Sequence, residues 1–222
     1  MVVKFARVSV LFAVLSVAAA GCHLASAAAT VLPVPATDEA VAPGTGLRTA
    51  VVAGGCFWGI QDVFQHVKGV VSATSGYSGG TAATAHYEVV SSGTTEHAES
   101  VQVTYDPKQI SYGQLLRVFF AVGHDPTELN RQGPDTGVQY RSVIFYRDAE
   151  QQRIAEAYIA QLQQAKIFPR PLVTRVTPLT AFYAAEGYHQ DYARRHPNDL
   201  YIVYNDAPKV EHLQQQFPEL YR

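Results

Sequence analysis

The chain has 222 residues, with 17 Lys and Arg against 19 Asp and Glu, for a formal net charge of −2. This length suffices for one domain with a substantial core, and the near-neutral balance without a long basic run excludes a nucleic-acid groove. Two cysteines, Cys22 and Cys56, exclude a disulfide framework beyond a single pair, and Met1 is the only methionine, as suits a protein that lives among oxidants.

Lys4 and Arg7 precede an apolar run from Val8 to Ala20 that is too short for a comfortable membrane span. This pattern reads as an export signal. Ala25-Ser26-Ala27 fits signal cleavage. Ala19-Ala20-Gly21-Cys22 resembles a bacterial lipobox, but Ala19 stands where Leu is usual, which favours cleavage. The expected organisation is a signal peptide over 1–27, a flexible linker over 28–47 and a folded domain over 48–222. The linker reading rests on the Ala, Thr, Val, Pro and Gly of that stretch. The expected location is periplasmic, with membrane attachment only if Cys22 is lipidated.

Thr49 to Ala53 reads as a buried strand. Gly54-Gly55-Cys56-Phe57-Trp58-Gly59 follows, and then Ile60, Val63, Phe64 and Val67 recur at helical spacing. Cys56 therefore stands where a helix starts. Unpaired backbone N–H groups and the positive dipole end there predict a lowered thiol pKa. Phe57 and Trp58 add apolar surface beside the sulfur.

Val70 onward is extended, and Gly76-Tyr77-Ser78-Gly79-Gly80 reads as a turn or loop. From His97 to Tyr105 the residues alternate. His97, Glu99, Val101, Val103 and Tyr105 share the expected core face. A carboxyl at Glu99 loses hydration there, which raises its pKa and prepares it as a proton donor. Ser111 and Gln114 form a capping box, with Ile110 and Leu115 as its hydrophobic staple. The stretch from Gly123 to Gln139 is long enough for a functional loop and delivers Asp135 and Tyr140 to a strand over 142–146. Asp148 caps a helix from Ala149 to about Lys166, Leu172 to Val176 is a strand, and the tail beyond Pro197 is expected to wrap the surface.

A thiol nucleophile at Cys56 leaves two other classes open. A cysteine hydrolase needs a His base, for which His97 or His189 qualifies by type. A binding module uses Trp58 and the tyrosines as a ligand surface without turnover. The eight histidines do not pair at metal-ligand spacing.

Six motifs carry a more specific resemblance. Gly55-Cys-Phe-Trp-Gly59, Gly76-Tyr-Ser-Gly-Gly80, His97-Ala-Glu99, His124-Asp-Pro-Thr127, Gly133-Pro-Asp135 and Gln139-Tyr-Arg141 together resemble the A-type peptide methionine sulfoxide reductases. The resemblance covers about Thr49 to Arg195. It implies an α/β (α+β) fold, a two-layer sandwich with a ferredoxin-like core, here with an extended C-terminal tail. It implies that Cys56 attacks the sulfoxide sulfur, that Glu99 protonates the oxygen with Tyr87 and Tyr140 as helpers, and that Phe57 and Trp58 hold the methyl group. Asp135 matches a further active-site carboxylate. The implied substrates are free or protein-bound methionine S-sulfoxides. No bound cofactor is implied; the reductant is an external thiol, such as a thioredoxin-like protein, glutathione or, in vitro, dithiothreitol. Many relatives carry resolving cysteines near the Ser91 position or in the tail; here both places lack one. Glu96 stands where many relatives have glycine, which predicts a further rise in the Glu99 pKa.

Overall fold

The computed structural model describes residues 32–40 and 46–222. The signal-peptide reading and Cys22 lie outside the described residues. In chain order the elements are β1 (Arg48–Ala53), α1 (Phe57–Gln65), β2 (Val70–Ser78), α2 (Tyr87–Val90), β3 (Ala98–Tyr105), α3 (Tyr112–Val118), β4 (Arg131–Gln132), β5 (Asp135–Thr136), β6 (Val143–Tyr146), α4 (Ala149–Gln164), β7 (Arg175–Pro178), β8 (Phe182–Ala184), α5 (Tyr192–Arg195) and α6 (Ala207–Gln216). Six strands form one sheet in the order β7-β6-β1-β3-β2-β8, and β4 and β5 form a small hairpin. The inner four, β6-β1-β3-β2, are mutually antiparallel. The chain crosses through α1 between β1 and β2, and through α3 between β3 and β6.

Strand parity sorts the side chains. Ala50, Val52, Val101, Val103, Tyr105 and Ile144 join the main core with Ile60, Phe64, Leu116 and Ile154 of the helices. Val51, Ala53, Ala98, Val143 and Phe145 form a smaller cluster of their own. Glu99 has the parity of Val101 and Val103, so the alternation that builds the core also drives its carboxyl inside. The Ser111–Gln114 capping box starts α3, and Asp148 caps α4 through Gln151 N–H at 2.9 Å.

Three expectations are corrected. Gly76 to Ser78 is not a turn; it is the end of β2, paired with both β3 and β8. A Cβ on Gly76 would come within 2.3 Å of the Tyr183 carbonyl oxygen, so the glycine admits β8 rather than bending the chain. The tail does more than wrap the surface. It forms a π-type turn over Ile202–Asp206 that runs into α6, and Ile202, Leu213 and Phe217 are buried. Finally, the stretch 32–40, expected from its composition to be linker, belongs to the fold. Leu32 is buried, Arg117 Nε donates to its carbonyl at 2.8 Å, and Tyr158 O–H donates to the Pro33 carbonyl at 2.9 Å. Glu39 accepts from Tyr112 N–H at 2.8 Å, Tyr105 O–H at 3.1 Å and Arg48 Nη1 at 2.5 Å. Composition did not show this because the anchors are two carboxylates, Asp38 and Glu39, set on the N-terminus of α3.

Replacing Glu39→Ala strands the Tyr105 hydroxyl and the Tyr112 N–H, while Arg48 keeps Glu150 at 2.9 Å. We expect a loss of about 2–4 kcal/mol in urea unfolding. A loss below about 0.5 kcal/mol would return residues 32–40 to the status of a tether.

Candidate active site

The site is built where β1 ends. Gly54 and Gly55 turn the chain into α1, Gly55 with φ of +97°. A Cβ on Gly54 would meet the His124 ring at 2.7 Å, and one on Gly55 would meet the Gln132 side chain at 2.6 Å. The glycines therefore let two loop side chains press against the backbone beside Cys56. His124 is locked between the Phe119 carbonyl at 3.1 Å and Ser142 Oγ at 2.7 Å. Burial pushes its pKa down to about 4, so it stays neutral. Gln132 Oε1 accepts from Asp125 N–H at 2.9 Å, and Asp125 in turn accepts from Thr127 N–H at 2.8 Å. The His124–Thr127 motif is thus scaffold: it folds the long loop so that the β4–β5 hairpin presents Asp135.

Cys56 is the N-cap of α1 and is 8% exposed. Phe57 N–H donates to Glu99 Oε2 at 3.1 Å, which ties the carboxyl to the same helix start. Cys56, Phe57, Trp58, Tyr87, Glu99, Asp135 and Tyr140, the seven residues expected from the sequence, line one cavity of about 200 Å³, together with Tyr201.

Glu99 is 2% exposed, and burial pushes its pKa up to about 8, helped by the charges of Asp135 and Asp206. Glu96 does not contribute: its side chain is exposed, and its backbone carbonyl accepts from Arg141 Nη2 at 2.7 Å. The Cys56 thiol behaves opposite to expectation. Burial, and then the Glu99 and Asp206 carboxylates, push its pKa well above the ordinary value; the helix-start N–H of Trp58 opposes them and loses. Desolvation outweighs the dipole because Cys56 is packed into the main core and only 8% exposed. Burial also raises the pKa of the Tyr87 and Tyr140 phenols, which stay protonated as donors.

Trp58 is held on three sides. Tyr192 stacks on it with ring centroids 3.8 Å apart, Tyr201 meets it edge-on at 5.9 Å, and its indole N–H donates to His189 Nδ1 at 3.2 Å. The Tyr201 hydroxyl donates to Asp135. Glu186 accepts from Tyr77 O–H and Tyr87 N–H, both at 2.9 Å, and so fixes the start of α2. Tyr201, Tyr192 and Glu186 are not marked as site residues by the sequence, and His189, a candidate base by type, is instead the partner of Trp58. They arrive from more than 80 residues downstream, without a local spacing to mark them.

The hydrolase arrangement is absent. His97 has both ring nitrogens tied to backbone, at Gly80 N–H and the Thr81 carbonyl. His189 accepts the Trp58 indole N–H at Nδ1, and neither histidine lines the cavity. Among the described residues, no histidine lines the Cys56 cavity to serve as its base.

The sequence model described as peptide methionine sulfoxide reductase matches residues 48–221. The chain belongs to this family. It is 57% identical over 184 residues to peptide methionine sulfoxide reductase MsrA 2 of Mesorhizobium japonicum, covering 83% of this chain and 93% of that one. It is 48% identical over 203 residues to MsrA 2 of Synechocystis, covering 90% and 95%. Among solved structures, reduced Mxr1 of Saccharomyces cerevisiae aligns with a TM-score of 0.64 and 31% identity over 72% of this chain and 91% of that one. Methionine sulfoxide reductase A of Corynebacterium diphtheriae aligns at 0.59 and 35%, over 75% and 84%. These likenesses bear out the α/β fold class. Among the described residues of this family member, Cys56 is the one free thiol. Ser91 ends α2, and the tail brings Tyr201 to the cavity rather than a second cysteine.

A buried carboxyl that keeps its proton to about pH 8 costs stability. An unfolded Glu ionises near pH 4, so stability falls as pH rises from about 4 to about 8, by about 1.4 kcal/mol per unit. We expect Glu99→Gln to be more stable than the wild type at pH 8, by up to about 4 kcal/mol, and to gain nothing at pH 4. Thermal unfolding at the two pH values checks this; equal gains at both would place the carboxyl in water.

Proposed function

We propose that the chain reduces methionine S-sulfoxide, free or in oxidised proteins, through a sulfenic acid on Cys56. The observation that carries this reading is a thiol and a protonated carboxyl, both fixed at the start of α1, on one small aromatic cavity. Sulfoxide oxygen leaves only when it receives a proton. Glu99 donates that proton as the Cys56 sulfur attacks the sulfoxide sulfur. The protonated oxygen then passes from the substrate sulfur to the Cys56 sulfur as the new bond between the two sulfurs breaks; that bond's electron pair stays with the substrate sulfur, which departs as the thioether, and Cys56 is left as S–OH. Tyr87 and Tyr140 donate hydrogen bonds to the oxygen, and Phe57 and Trp58 enclose the methyl group. Asp135, pinned by Tyr201, holds the edge of the cavity.

The raised thiol pKa belongs to the same design. An ionised Glu99 repels a thiolate, while a protonated Glu99 does not, so the pair shares one proton in its reactive form. Proton donation to substrate and thiolate attack are coupled by this shared charge.

With Cys56 the one free thiol among the described residues, the sulfenic acid requires an external thiol, such as a thioredoxin-like protein or glutathione. The N-terminal pattern, from Lys4 through the Ala25–Ala27 cleavage site, supports export to the periplasm, where the donor is a thiol carrier of that compartment.

The test is single turnover of a methionine S-sulfoxide without added thiol. We expect one equivalent of methionine and a trappable sulfenic acid on Cys56. The rate constant rises as pH approaches 8 and falls only above the ordinary thiol range, where the last shared proton is lost. Glu99→Gln lowers it about 10²–10⁴-fold and removes the alkaline fall. Full activity in Glu99→Gln, or no methionine from the wild type, would refute the reading.

A further inference from the structure

Cys56 opens onto a second cavity. It measures about 180 Å³ and shares Cys56, Asp135 and Tyr201 with the first, but its other walls include Gln132, Asn205 and Lys209. The hydrogen bond from Tyr201 to Asp135 belongs to both cavities and stands as the partition between them. Glu99, Trp58 and Tyr140 face only the first; Lys209 faces only the second.

Lys209 is positioned with care. Its Nζ donates to Asp206 Oδ1 at 3.0 Å, and Asp206 is fully buried with its other oxygen, Oδ2, unpartnered. The pair lies over Gly59, where a Cβ would meet Asp206 Oδ1 at 2.1 Å and Lys209 Nζ at 2.8 Å. The last glycine of the Gly55–Gly59 motif thus clears space for an ion pair from the tail. A buried aspartate pairs with a lysine that keeps two further N–H donors and about a fifth of its side chain accessible. Lys209 is also close enough for its charge to favour the Cys56 thiolate.

We infer that this second cavity receives the regenerating thiol, and that Lys209 holds the incoming sulfur as its thiolate. This rests on the proposed Cys56 sulfenic acid. The chemistry selects the side of approach. Displacement at divalent sulfur runs in line, so the attacking sulfur enters opposite the departing oxygen. The oxygen lies with Glu99 in the first cavity, which leaves the Lys209 side for the thiol. The thiol sulfur bonds to the Cys56 sulfur, the S–O bond breaks, and the oxygen leaves as water with the thiol's proton. A second thiol attacks the mixed disulfide, releasing Cys56–SH and the oxidised dithiol; two thiols together supply the two electrons. The ligand is the cysteinyl or other small thiol end of a reductant, free or protein-borne.

Two measurements test this. The first is the crystal structure of the wild-type protein as its Cys56 mixed disulfide with 2-mercaptoethanol. The adduct should lie beside Lys209; an adduct against Trp58 overturns the inference. The second follows both half-reactions by stopped flow, with dithiothreitol, glutathione and a thioredoxin-like protein as reductants. The methionine burst tests the underlying reading by itself, since it needs no thiol. In Lys209→Met, reduction of the sulfenic acid should slow at least tenfold, and its ratio to the burst rate should fall at least fivefold, with Lys209→Arg restoring most of both. Slowing with the small thiols alone assigns the cavity to free thiols, and slowing with all three assigns it to protein thiols as well. Because Lys209→Met leaves Asp206 buried without a partner, the double variant Asp206→Asn/Lys209→Met is measured beside it. An unchanged ratio in both variants overturns the inference.

Discussion

The hydrogen bond from the Phe57 N–H to the Glu99 carboxyl is the constraint on which the site depends. It joins the central strand β3 to the first turn of α1, and so brings acid and thiol to one point. An acid held there in water would ionise near pH 4 and donate nothing at neutrality. Buried, it keeps its proton to about pH 8. The same burial raises the Cys56 thiol, so both groups of the site hold their protons at neutral pH.

Dryness of this kind has to be built. Four aromatic rings and His189 close the space around Trp58, and each arrives on a separate segment: Phe57 on α1, Tyr87 on α2, Tyr192 on α5, Tyr201 ahead of the π-type turn. The indole N–H, the one polar group of Trp58, is satisfied by His189 inside the cluster rather than by solvent. The tail therefore has two tasks. It covers α1 through Leu213 and Phe217, and it supplies the Tyr201–Asp135 contact and the Asp206–Lys209 pair that flank the sulfur.

The N-terminal strap follows the same logic at the other end of the sheet. Its carboxylates satisfy helix N–H groups, a guanidinium and a buried phenol. These are polar contacts inside a core, and they work only because each acceptor finds its donors. Short apolar patterns carry no trace of them, which is why residues 32–40 looked like linker.

By itself the sequence determined what is local. The 3.6-residue spacing after Cys56 located α1 and its N-cap. Strict alternation from His97 to Tyr105 put Glu99 on the core face, and Ser111 and Asp148 announced their helices. These signals lie within one or two turns or one strand, where backbone geometry alone relates neighbouring side chains. The tertiary structure decided what depends on distant segments meeting. It set the sign of the Cys56 pKa shift, because desolvation is summed over everything packed around the sulfur. It gave Gly54, Gly59 and Gly76 their purpose, since each makes room for atoms far away in the chain. It also brought Tyr201 and Lys209 to the cavities that Cys56 lines, and His189 to Trp58. A polar tail interrupted by Pro208 shows no apolar stripe strong enough to mark a helix, and only packing against α1 turned it into a wall of the site.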